Sequence, residues 1–219
     1  MGKIPKDLGL AKNITHFSIC FDAPLHLNLH QQYHNHLSLL IDLLPQMTSL
    51  HTFHFLISYI TPEIIEKLDL LQNQLSKMQI KEYFFRIDRH YFKTDESLTD
   101  VQTIIAQLTS IQSLERLYLN IYSLKDAKDL KILFTGFPDL KLLDLTIISN
   151  GTGYNFTCPF EDIVHMKSLE KLSIFMPNQE TTKILNRIPK LKSIKEIYIG
   201  NRRDVQRKLT IADYKKLHK

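Results

Sequence analysis

An α/β fold, in which parallel strands alternate with helices and stack into an open solenoid, is what this sequence predicts. Three observations carry the prediction. A hexamer with apolar residues at its first, fourth and sixth positions recurs seven times. The segments between the copies have helical spacing, and the interval between copies, 25 to 36 residues, fits one strand plus one helix.

The copies are ITHFSI at 14, LHTFHF at 50, IKEYFF at 80, LERLYL at 114, LKLLDL at 140, LEKLSI at 169 and IKEIYI at 194. Each ends in period-2 alternation of Leu, Ile, Phe and Tyr, which is the pattern of a short strand. Between them, TPEIIEKLDLLQNQLSKM (61–78) places Pro62 at a first helical position after Thr61, and SLTDVQTIIAQLTSI (97–111) has the same helical period. NHLSLLIDLLPQM, DAKDLKILFTGF, FEDIVHM and QETTKILNRI complete the helical set. A strand followed by a helix, repeated, implies parallel strands joined by helical crossovers. The leucines recur because no unit buries its apolar face alone, whereas stacked units form one core.

Composition sets outer limits. The 219 residues are 43% hydrophobic and 23% charged, enough apolar material for a sizeable core. No apolar run reaches membrane-spanning length, and MGKIPKDLGLAKN lacks the apolar segment of a secretory signal, so no membrane association and an intracellular, cytoplasmic location are expected. Sequons at Asn13, Asn150 and Asn155 are then expected to be unused. The net charge of +5 is unevenly placed. Residues 201–219 hold seven Lys or Arg against two Asp, which leaves 21 basic and 21 acidic side chains in the first 200.

The approaches to the strands, LPQMTSLHTFHF, LTSIQSLERLYL, FPDLKLLDL, VHMKSLEKLSI and RIPKLKSIKEIYI, resemble those of leucine-rich repeat proteins over about residues 8 to 201. That family continues with two residues and then Asn or Cys; here those positions hold Asp22, Ser58, Asp88, Tyr122, Ile148, Pro177 and Arg202. The resemblance implies a helix-backed horseshoe of about seven repeats over 1–201, with a parallel sheet on the concave face, helices on the convex face, and a basic capping helix or tail over 202–219. It also implies recognition or scaffolding rather than catalysis, as an intracellular adaptor, an assembly subunit or a bacterial effector.

Function is then expected in the residues that alternate with the leucines. One outward column reads Ser18, His54, Phe84, Tyr118, Asp144, Ser173 and Tyr198; the column before it reads His16, Thr52, Glu82, Arg116, Leu142, Lys171 and Glu196; the column after it reads Cys20, Leu56, Arg86, Asn120, Thr146, Phe175 and Gly200. Rings mixed with Arg are what protein interfaces use as anchors. Phe84, Arg86, Arg116, Tyr118 and Tyr198 are therefore the expected centre of a protein-binding face, with His54 and Phe175 beside it.

Other chemistry is weakly signalled. His26, His30, His34 and His36 lie close together, and spacings of four would put the first three on one helix side, yet Asp22 is the only nearby carboxylate, so a surface patch is favoured over a metal site. Gly151 and Gly153 in SNGTGYNF read as a turn, since neither a helix nor a Lys follows as a phosphate loop requires. No hydrolase, nucleotide-binding or kinase signature occurs, so neither an enzyme nor a cofactor is expected. Cys20 and Cys158 fall four strands apart, about 19 Å, too far for a disulfide. The tail places Val205, Leu209 and Ala212 on one helical side, as a cap would, and its basic residues supply the alternative function of nucleic-acid association.

Overall fold

The computed structural model describes residues 8–21, 30–58, 62–87, 97–122, 129–148, 160–175, 190–200 and 208–210. The hexamers form strands that begin two residues inside each copy. These are β1 (His16–Phe21), β2 (Thr52–Ile57), β3 (Glu82–Ile87), β4 (Arg116–Tyr122), β5 (Leu142–Ile148), β6 (Lys171–Phe175) and β7 (Glu196–Gly200). All seven pair in parallel and in chain order, and β8 (Lys208–Thr210) adds antiparallel to β7. The sheet stays open, because β1 and β8 stand at opposite ends of this order.

Helices α1 (His30–Leu43), α2 (Pro62–Ser76), α3 (Ser97–Leu108) and α4 (Asp129–Gly136) connect the strands. Pro62 opens α2, where its missing N–H and fixed φ cost nothing. Each helix packs against the next in sequence, and α4 packs against a 3-10 segment at Phe160–His165. That segment replaces the helix expected from FEDIVHM. The expected helix QETTKILNRI lies outside the described residues.

One apolar cluster lies between sheet and helices. It joins Leu68, Leu71 and Leu75 of α2 and Ile104, Ile105 and Leu108 of α3 to the strand residues Phe53, Phe55, Tyr83, Phe85, Leu117 and Leu119. Its filling follows the repeat length. Strand starts are 36, 30 and 34 residues apart through β4, where three helices of 12 to 15 residues stand behind the sheet. There the core is aromatic: Phe17 stacks on Phe53 at 5.9 Å, Phe53 meets Tyr83 at 5.6 Å, and Phe55 stacks on Phe85 at 5.9 Å. Beyond β4 the intervals are 26, 29 and 25 and the backing shortens to eight and six residues; from β4 onward the inward strand positions hold Leu and Ile, with Phe134 and Phe137 buried behind them.

Serine takes part in tying units together. Ser113, one residue before its hexamer, donates its hydroxyl to the Ile80 carbonyl at 2.8 Å, and Ser193 donates to the Lys167 carbonyl at 2.8 Å. Such short side chains satisfy backbone carbonyls in turns that no ladder reaches. Ser58, at one of the positions where the resembled family has Asn or Cys, is buried, and its N–H donates to the Phe21 carbonyl at 3.0 Å.

The C-terminal expectation needs correction. Lys208–Thr210 is a strand, so Leu209 does not stand on a helix there. The outer edge of β7 presents unpaired N–H and C=O groups, which a strand satisfies and a helix cannot. Val205 and Ala212 lie outside the described residues.

Candidate partner-binding face

Period 2 sends alternate strand residues to opposite sides. Tyr83, Phe85 and Ile87 are buried in the core, whereas Glu82, Phe84 and Arg86 remain partly exposed on the other side. The strand register aligns the three outward columns unit by unit. Ser18 pairs with His54, His54 with Phe84, Phe84 with Tyr118, Tyr118 with Asp144, Asp144 with Ser173 and Ser173 with Tyr198.

Within the central column three rings form a ladder. His54 and Phe84 are 5.5 Å apart and tilted by 48°; Phe84 and Tyr118 are 6.2 Å apart and tilted by 33°. Tilted arrangements suit the ring quadrupoles better than a face-to-face stack. Leu56 and Leu142, both half-buried, stand in the flanking columns.

The structure separates the expected anchors into two groups. His54, Phe84 and Tyr118 are contiguous, with Arg86 and Arg116 in the columns on either side. Tyr198 and Phe175 lie apart, because β5 and β6 separate β4 from β7 and put Asp144 and Ser173 between Tyr118 and Tyr198, a distance of about 14 Å. At that end Lys171 sits over the Tyr198 ring at 5.1 Å and approaches Glu196 at 3.4 Å, while the Tyr198 hydroxyl donates to Glu196 at 3.0 Å. Gly200 lies beside the Phe175 ring, which a Cβ there would meet at 3.4 Å, about van der Waals contact.

Arg116, although 59% exposed, forms an ion pair with Glu82 at 3.1 Å across β3 and β4. Burial raises the Asp144 carboxyl above its usual range, opposed by a hydrogen bond from Ser173 and the charge of Lys171. Burial also raises the Tyr118 hydroxyl, reinforced by the charge of Glu82 and opposed by that of Arg116. Ser173 itself is buried, although its column faces outward.

Sequence reasoning overlooked the rank just before the strands. Lys81, Glu115, Lys141, Glu170 and Lys195 alternate in sign, and from Glu115 onward each backbone N–H donates to the carbonyl of the rank member before it at 2.7 to 2.9 Å, while the Lys81 N–H donates to the His51 carbonyl. Glu115 accepts from Lys141 at 2.7 Å and from Lys81 at 3.1 Å, and Lys195 donates to Glu170 at 2.8 Å. Hydrogen bonds from Lys141 and then Lys81 hold the Glu115 carboxyl down at about 2. The signal was present as opposite charges at one repeat position.

His34 and His36 stand two positions apart on α1 and so face different ways; His26 and the side chain of His30 lie outside the described residues. Among the described residues no group of three or more His, Cys, Asp or Glu could hold a metal ion. Cys20 is exposed on β1, and Cys158, Gly151 and Gly153 lie outside the described residues. Among the described residues no helix is long and apolar enough to cross a membrane. No family model and no curated protein matches this chain.

Proposed function

We propose that this chain is a leucine-rich-repeat-like solenoid that acts inside the cell as a non-enzymatic scaffold, binding a protein partner on the sheet face opposite the helices. The observation that supports the reading is the ladder of His54, Phe84 and Tyr118. Parallel sheets are usually covered on both faces, so partly exposed rings in register on a face that no described helix covers need a reason. Protein recognition supplies it, because large rings beside Arg form the anchors of interfaces.

The second reading, nucleic-acid association, is supported by the charge of +5 concentrated in residues 201–219. Three affinity baits separate the two: the intact chain, Phe84→Ala/Tyr118→Ala, and a tail with Arg202, Arg203, Arg207 and Lys208 changed to Gln. Loss of captured protein with the ring variant alone supports the first reading. Recovery of nucleic acid that the tail variant loses, with steep salt dependence, overturns it.

A further inference from the structure

We propose that the partner presents an amphipathic helix, laid across β2, β3 and β4 with an uncharged apolar stripe on His54, Phe84 and Tyr118; this rests on the reading that the face binds protein. The first support is pitch. The ring steps are 5.5 and 6.2 Å. Neighbours at i, i+3 and i+4 on a helix surface are about 5–6 Å apart. Same-side residues of an extended strand are about 6.6–6.8 Å apart and a polyproline turn repeats at about 9 Å, so the ring steps fall nearer the helical spacing than either.

Width is the second support. Adjacent columns on this face are two residues apart along each strand, about 6.6 Å, so the three columns together accept a rod about 10–12 Å across. Leu56 and Leu142 extend the apolar strip diagonally on either side of the ladder, toward the shoulders of such a rod. Apolar anchors at helical spacing in a groove are a recurrent recognition mode.

Charge is the third. On the outward columns Glu82, Asp144 and Glu196 balance Arg86, Arg116 and Lys171. Arg116 is engaged by Glu82 at 3.1 Å and Lys171 by Glu196 at 3.4 Å. A phosphate backbone or an acidic peptide would have to displace those carboxylates, whereas a neutral stripe displaces nothing. The excess of positive charge lies in residues 201–219, none of which belongs to β2, β3 or β4.

The test is a selection on the intact chain from a displayed peptide library of two designs. One is a helical scaffold randomised at i, i+3, i+4 and i+7; the other is an extended scaffold randomised at alternate positions. Binders are then measured against Phe84→Ser/Tyr118→Ser and against Leu70→Asp, a helix-side control at a residue 47% exposed, with circular dichroism showing that each variant is folded. Helical binders with apolar stripes are expected, weakened about tenfold or more by the ring variant and unaffected by Leu70→Asp. Their affinity should change less than about threefold between 0.15 and 0.5 M salt. Extended or charged binders that still need the rings overturn the helix and leave protein binding on this face standing. If no binder needs the rings, or if Leu70→Asp alone abolishes binding, the face is not the working surface and both readings fall.

Discussion

Tyr83 offers a sharp test of how the core is built. Its side chain is fully buried, its ring lies 5.6 Å from Phe53 and 5.8 Å from Phe85, and its hydroxyl has no hydrogen-bond partner among the described residues. Tyr83→Phe removes one oxygen and leaves those ring contacts in place. A buried hydroxyl without a partner costs about 1–3 kcal/mol, so the variant should be more stable by about 1–2 kcal/mol, which raises Tm by about 2–8 °C in a chain of this size. Burial also pushes ionisation of Tyr83 far above its ordinary value of 10.0. Stability attached to a raised pKa is intact below the unfolded value and is lost as pH rises above it. Above pH 10 the unfolded side chain ionises while the folded one does not, at about 1.4 kcal/mol per pH unit. The advantage of Phe should therefore grow by about 1 kcal/mol between pH 7 and pH 11. Urea unfolding followed by circular dichroism, with the slope m unchanged, measures both effects. A loss of stability at pH 7 would refute the reasoning, since it would require a bonded hydroxyl, and an advantage independent of pH would refute the part that rests on burial.

Three further outcomes follow from the same contacts. The Glu115 carboxyl is held at about 2 by Lys141 and Lys81, so it stabilises the fold at neutral pH and the benefit fades as pH falls from about 4.5 toward 2; Glu115→Gln should lower Tm at pH 7 and match the parent at pH 2 in a thermal series. Asp144 has the opposite sign: its raised carboxyl favours folding while protonated and loses that contribution as pH rises through the folded value, so Asp144→Asn should raise Tm at pH 7 and lose its advantage below the usual carboxylate range. A Cβ at Gly136, the last residue of α4, would run into the side chain of Thr109 just beyond α3, so Gly136→Ala should cost about 1–3 kcal/mol, read by urea unfolding, whereas Gly136→Ala with Thr109→Ser should recover part of the loss.

The strands and their outward columns were legible because two periods reinforce each other. Alternation within a hexamer decides which residues leave the core, and recurrence of the hexamer decides which of them become neighbours; Phe84 therefore falls between His54 and Tyr118 without any knowledge of tertiary contacts. Parallel strands entering at equivalent positions leave no freedom of register, since a slip of one residue would bury Glu82 and expose Tyr83. The helices were legible where they are long. FEDIVHM has the spacing of a helix but, as six residues of 3-10 turn, only the length for a tighter winding. Lys208–Thr210 was misread for a related reason: three residues carry no period of their own, and the open edge of β7, which decides their conformation, is invisible in the local sequence.

The candidate site was legible in part, and the part that was missed alters how the rest is understood. Read one repeat at a time, Arg116 looks like a free anchor and Glu82 a solvated acid; read across repeats they are one pair, and the rank of Lys81, Glu115, Lys141, Glu170 and Lys195 beside them is a line of alternating charge. Neighbouring units that carried the same sign at that position would repel at every interface of the stack, so alternation favours this order of units over a slipped one. Because each such charge faces its complement in the next unit, these ranks present little net field to a partner. What remains distinctive on strands β2 to β4 is apolar and aromatic, and it occurs where the longest repeats and the aromatic core lie behind the sheet. Phe53, Phe55, Tyr83 and Phe85 pack ring on ring behind β2 and β3, and Leu117 and Leu119 continue that layer behind β4, so the row of rings on the outer side stands at a spacing set by the strand register. A recognition surface that works by pitch rather than by charge requires that fixed spacing.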